Sequence, residues 1–233
     1  MKRIIALIVL CMPLMLKAQD RKLYVYPSLG INVGFTIPFP LSDIPDGTKA
    51  TPKINPSMGL GFEYIFSDKW NLGFEISHHV LAFSAKADVR SQSFYFNNQQ
   101  QILYFTGHTD TNVRPGFFEF PITAIYKISP RRSILLGTFY SRIHSGSFKT
   151  EGTDGMLSDN KSITDAARLP GIANTSYNFN NFLNNRDAGL NIGYRYRVSN
   201  RFNLWGNLKA GPKSIFIKEF NNIDYEMYQI YII

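Results

Sequence analysis

Alternation of apolar and polar residues with a period of two runs through most of the chain. In residues 23–37, Leu29, Ile31, Val33, Phe35 and Ile37 fall on one face of an extended strand, and Ser28, Gly30, Asn32, Gly34 and Thr36 on the other. Residues 57–66 set Met58, Leu60, Phe62, Tyr64 and Phe66 against Ser57, Gly59, Gly61 and Glu63, and residues 70–76 set Trp70, Leu72, Phe74 and Ile76 against Asn71, Gly73 and Glu75. The pattern returns in residues 117–128, 188–198 and 202–210. It blurs in residues 133–143, where Leu135, Phe139 and Ile143 compete with Ile134, Leu136 and Tyr140, so a strand is predicted there without assigned faces. Residues 225–233 complete a predicted set of eight strands.

Three of the joints between these strands share one phrase. Tyr64-Ile65-Phe66-Ser67-Asp68-Lys69, Tyr126-Lys127-Ile128-Ser129-Pro130-Arg131 and Tyr196-Arg197-Val198-Ser199-Asn200-Arg201 all read Tyr, any residue, apolar, Ser, turn former, basic. A very short Ser/Asp/Pro/Asn turn between alternating runs predicts a tight β-hairpin. In the first, a three-residue loop pairs Phe62 with Phe74, Glu63 with Gly73 and Gly61 with Glu75, and the glycines make room for the carboxylates. The other connections are long and rich in Pro, Gly, Asp and Asn, over residues 38–56, 84–112 and 145–186, with a shorter one near Asn221-Asn222.

Short and long connections therefore alternate strictly. That asymmetry with an even strand count predicts an all-β fold: an eight-stranded antiparallel up-and-down transmembrane β-barrel with short periplasmic turns and long extracellular loops. Closure satisfies every backbone donor and acceptor inside a bilayer. Pro121 and Pro212, which would each delete a ladder bond, are predicted to mark bulges or strand ends.

Composition bears on which face meets lipid. The 13 Tyr and 19 Phe are interleaved with polar residues, and mean hydropathy is only −0.14. Residues 1–18 read as a signal peptide, with Lys2 and Arg3 ahead of an apolar stretch and a small-residue site near Ala18, leaving 19–233 as the barrel domain. The single cysteine, Cys11, lies in that segment, so no disulfide is expected in the mature chain. Removing Lys2, Arg3 and Lys17 lowers the formal charge from +8 to +5. The remaining basic residues are scattered, which argues against a nucleic-acid partner.

In a membrane barrel the apolar face points outward. Glu63, Glu75, Glu119, Lys127, Arg195, Arg197 and Lys209 are then expected in the lumen, where their opposite signs allow an ion-paired plug. Tyr64, Trp70, Tyr126 and Tyr196 share a position beside the short turns and are expected to form an aromatic girdle. In a secreted, lipocalin-like carrier the same apolar face would line an interior site.

The stretch Phe117-Phe118-Glu119-Phe120-Pro121-Ile122-Thr123-Ala124-Ile125-Tyr126 resembles the aromatic-x-Glu-x-Pro strand of the Bacteroidetes outer-membrane β-barrels often called PorT-like porins. Thr153-Asp154-Gly155-Met156-Leu157 is similar to a segment in their third long loop, and residues 220–231 to the approach to their last strand. The chain differs in ending Tyr231-Ile232-Ile233, where members usually place Gly-x-x-Tyr-x-Phe. The resemblance implies an outer-membrane protein with no fixed activity.

Catalytic and metal signals are weak. Neighbouring strand residues point to opposite faces, so His78 and His79 are not expected to chelate one ion, and no metal or cofactor is predicted. His108-Thr109-Asp110 and His144-Ser145 lie near the loop side, where a membrane-embedded lipid-modifying enzyme would need them to converge. The expected role is non-enzymatic: a surface-loop scaffold or narrow porin-like protein. Its expected partners are outer-membrane lipid and, through the loops, an extracellular or envelope protein, with Phe94-Tyr95-Phe96, Tyr177, Phe179 and Phe182 as candidate contacts.

Overall fold

The structure, a computed structural model, describes residues 22–39, 47–96, 101–159, 174–178, 180–217 and 226–233. The eight predicted strands close on themselves as β1 (Leu23–Phe39), β2 (Lys49–Ile65), β3 (Trp70–Val80), β6 (Gly116–Lys127), β7 (Arg132–Ser145), β10 (Arg186–Arg197), β11 (Asn203–Ser214) and β12 (Glu226–Ile232). They pair in the order β1-β12-β11-β10-β7-β6-β3-β2, and a further β1–β2 pairing completes the circle. Following cross-strand partners from Glu63 leads through Gly73, Thr123, Gly137, Asn191, Lys209, Tyr231 and Gly34. The circuit re-enters β2 at Lys53, ten residues from its start. That stagger is the tilt a closed barrel requires.

The shared turn phrase has a physical reason. In each turn the serine hydroxyl accepts from backbone amides two or three residues on: Ser67 Oγ from Trp70 N–H at 3.0 Å, Ser129 Oγ from Arg131 N–H at 3.4 Å, and Ser199 Oγ from both Arg201 and Phe202 at 3.2 Å. Each serine amide in turn donates to the carbonyl of Trp70, Arg132 or Phe202, which closes the hairpin. The first hairpin has the predicted register, Phe62 opposite Phe74 and Glu63 opposite Gly73.

The long connections are more ordered than the sequence implied. Residues 49–56 are not loop: β2 starts at Lys49, and Lys49–Lys53 pair with Ala82–Lys86 of β4 (Ala82–Phe96). β4 forms a hairpin with β5 (Gln101–Val113), which pairs with β8 (Phe148–Ser158), which pairs with β9 (Asn174–Asn178). Four loop strands thus continue the barrel sheet beyond β2. Their buried side chains, Phe83, Val89, Leu103, Phe105, Val113, Phe148 and Leu157, join Ile215 and Phe216 from beyond β11 in one apolar core. Alternation pointed to only part of this sheet, Phe94-Tyr95-Phe96 and residues 102–105, which read as able to extend strands beyond a membrane and do pair in the β4–β5 hairpin; the rest escaped because its apolar residues face a second core, at the loop end.

Two further points differ from expectation or complete it. In β7, Ser133, Leu135, Phe139 and Ser141 are buried, while Ile134, Leu136 and Tyr140 are exposed. The faces blur because Phe139 belongs to a small internal cluster with Leu81, Phe117 and Tyr231, so the lumen itself turns apolar near the loop end. Pro121 sits inside β6 with no register shift, leaving a gap in the β3–β6 ladder between Phe74↔Ile122 and Ser77↔Glu119. Pro212 falls in a register shift between Ala210 and Ser214, as predicted.

Candidate functional site

The inward face builds two charged layers across the lumen. Near the short-turn end, Arg195 of β10 reaches across to Glu63 of β2 with a bidentate pair, Nη1 to Oε2 at 2.5 Å and Nη2 to Oε1 at 3.2 Å. Asn71 Nδ2 also donates to Glu63. Nearer the loop end, Lys209 Nζ and the Tyr231 hydroxyl both donate to Glu119, which is fully buried. The Lys209 ammonium lies 6.0 Å from the Phe139 ring centre and 5.9 Å from that of Tyr231. A buried charge is costly unless paired and hydrogen-bonded, and each layer meets that condition within itself.

Glu75 is held differently. It accepts a hydrogen bond from Ser28 Oγ at 2.6 Å. Its room comes from Gly59, where a Cβ would stand 2.5 Å from Glu75 Oε1 and 2.6 Å from Ser28 Oγ. The expectation that cross-strand glycines make room for the carboxylates is corrected at both positions: the space beside Gly61 is filled by the Tyr26 ring, which also packs edge-on against Trp205 at 5.9 Å, and a Cβ at Gly73 would stand nearest Ile125, at 3.2 Å, and Thr123 rather than Glu63. Tilt moves an inward side chain off its backbone partner, so register alone did not locate the contact.

Five of the seven predicted lumen residues, Glu63, Glu75, Glu119, Arg195 and Lys209, therefore lie in these contacts. Lys127 and Arg197 share the inward parity but stand at the short-turn mouth, Lys127 half-buried and Arg197 exposed, and neither pairs with a carboxylate among the described residues. Asn71, Ser28 and Tyr26 fall on the polar parity of their strands without having been singled out, whereas Tyr231 shares its face with Met227, Gln229 and Ile233 and carried no such signal. Asn32, Asn71, Asn191 and Asn207 keep buried amide atoms without a protein partner among the described residues.

Tyr64, Trp70, Tyr126 and Tyr196 all face outward beside the short turns. Trp70 and Tyr126 are cross-strand partners with ring centres 4.8 Å apart. Leu29, Ile31, Ile54, Leu72, Leu190, Ile192 and Leu204 leave an exposed apolar wall above them. On a water-soluble protein so continuous a patch would be a liability, whereas lipid makes it a solvent-matched surface.

The histidines do not assemble a nucleophilic site among the described residues. His108 pairs with Asp88 rather than Asp110, while Asp110 meets Lys86 at 3.5 Å and the Thr109 hydroxyl donates to the Ala87 carbonyl. His79 is buried between Phe117 and Tyr231. His144 meets His78 rather than a serine or an acid, Nε2 to Nε2 at 2.9 Å. Adjacent numbering misled here, because pairing across β6 brings β3 and β7 side chains together.

A comparison with curated proteins finds no match. Among solved structures, the chain is similar to Ail, the attachment invasion locus protein of Yersinia pestis, solved in complex with the heparin analogue sucrose octasulfate. The two share 11% identity over 90% of this chain and 97% of Ail, with a TM-score of 0.36. Residues 17–211 match the family described as outer membrane protein beta-barrel domain. With a closed eight-stranded barrel, an apolar outer wall and a family match over most of its length, this chain belongs to the outer membrane protein β-barrel domain family and is an outer-membrane protein.

Proposed function

We propose that the protein is a non-enzymatic surface scaffold: a plugged barrel that anchors an extracellular β-sheet and presents it to a partner outside the cell or within the envelope. The observation that carries this reading is the continuation of the barrel sheet from β2 through β4, β5, β8 and β9, with its own apolar core. A sheet built as an extension of a rigid barrel holds its exposed side chains in fixed positions, which is what recognition by loops requires. The two charged layers support a plug rather than an open porin. The outward aromatics beside the short turns are inferred to be the periplasmic girdle, and residues 1–18 to be a cleaved export signal. The PorT-like character of residues 117–126 supports placing the chain among the Bacteroidetes barrels. Candidate contacts Phe94-Tyr95-Phe96, Tyr177 and Phe179 fall where side chains lie outside the described residues; Phe182 packs against the extracellular core instead.

Excision tests the proposal. Lys149 and Asn178 are cross-strand partners, so replacing residues 150–177 with an Asn-Gly turn closes β8 onto β9 at its base while keeping Phe148, Phe182 and Leu183 in the core. The shortened protein is expected to remain heat-modifiable on gels and to lose binding to envelope or host-surface fractions that retain the full-length protein. Undiminished binding by the shortened barrel would assign recognition elsewhere.

A further inference from the structure

The outer wall carries a cluster that the scaffold reading does not use. His78 of β3 and His144 of β7 reach over the intervening strand β6 until their Nε2 atoms stand 2.9 Å apart. Phe118 of β6 lies beneath both rings, with centres 5.4 Å from His78 and 4.8 Å from His144. His144 is exposed and His78 partly so. Neither imidazole meets a carboxylate among the described residues. From Ile134, beside the short turn, to His144 the strand climbs about 26 Å along the barrel axis at a tilt of about 40°. The pair therefore sits at the upper edge of the apolar band, where water reaches it.

We propose that His78 and His144 form a two-imidazole site for a divalent late transition-metal ion, copper(II) or nickel(II), with water filling the other positions. Two imidazoles bound cis at about 2.0 Å stand about 2.8 Å apart, whereas a tetrahedral ion spreads its donors to about 3.3 Å. The observed spacing matches the cis arrangement of a tetragonal ion. Imidazole nitrogens suit these borderline metals, and Phe118 keeps the rings together before the metal arrives. In the metal-free pair, one Nε2–H donates to the other Nε2. On binding, the donating ring moves its proton to Nδ1 through solvent, so both neutral imidazoles present an Nε2 lone pair to the ion with no net proton lost; acid weakens binding because it converts the free rings to imidazolium.

The test uses the folded, tag-free barrel in detergent, titrated separately with CuCl2 and NiCl2 by calorimetry, with paramagnetic resonance on the copper sample. One saturable equivalent is expected, with hyperfine structure from two nitrogens. His78→Asn and His144→Asn should each weaken binding by about tenfold or more, while His108→Asn, at the exposed histidine of β5, should leave it unchanged. Heat-modifiable migration checks that each variant is folded, and the copper spectrum of the unaltered protein stands whether or not a variant folds. Absence of saturable binding, a one-nitrogen spectrum, or affinity unchanged in the His78 and His144 variants would overturn the assignment and leave a hydrogen-bonded histidine pair.

Discussion

Arg195 and Glu63 are held together by two hydrogen bonds in a buried setting, so the free energy at stake is in keeping the pair matched rather than in having it. Removing one partner strands a buried charge, and Glu63→Gln or Arg195→Met is expected to destabilise the barrel by about 3–5 kcal/mol. Replacing both together should cost much less than the sum of the two, and urea unfolding of the single and double variants in detergent micelles measures the difference. Additive costs would mean that the two side chains do not depend on each other. On the outer surface, Leu190 is 70% exposed midway along β10. Leu190→Arg should lower folding stability in lipid bilayers by about 2–4 kcal/mol, while leaving less trace in a short-chain detergent that deforms around the charge. The sequence exposed these residues through parity alone. It could not say that Glu119 would be met by Tyr231, whose strand lies far away along the chain, because such a contact depends on how far the closed sheet is staggered.

At the scale of the strand and turn, reading period two gave all eight barrel strands and the register of the first hairpin, since one slipped residue would turn the whole apolar set inward. It failed where both sides of a strand are apolar, as in β7 beside the Phe139 cluster, and where strands serve a core outside the membrane, as in β4, β5 and β8. The repeated serine was legible as a turn marker before its bonds were known. Its three instances should differ in strength. Ser199 accepts twice at 3.2 Å and Ser129 once at 3.4 Å. Ser199→Ala should therefore cost about 0.5–1 kcal/mol and Ser129→Ala less, in chemical unfolding of the refolded barrel. Equal losses would assign the serines a role in strand propensity alone.

Taken whole, the molecule is a cylinder crossed by two charged layers and closed toward the loop end by aromatic side chains. Purified protein in planar bilayers is expected to give no steady ohmic current, and a large stable conductance would show that the layers part readily. The extracellular core also ties the two ends of the chain's history together. Phe83, Phe105 and Phe148 are threaded early and midway, yet they pack on Ile215 and Phe216, with Met227 against them, all from the last stretch before the barrel closes. During export, the cluster built by residues 83–157 therefore lacks two of its buried members until Ile215 and Phe216 arrive. A chain stalled before Ile215 would present Phe83, Phe105 and Phe148 with two members of their buried cluster missing, so the stretch just after β11 bears on whether that sheet is a recognition surface or a seed for aggregation.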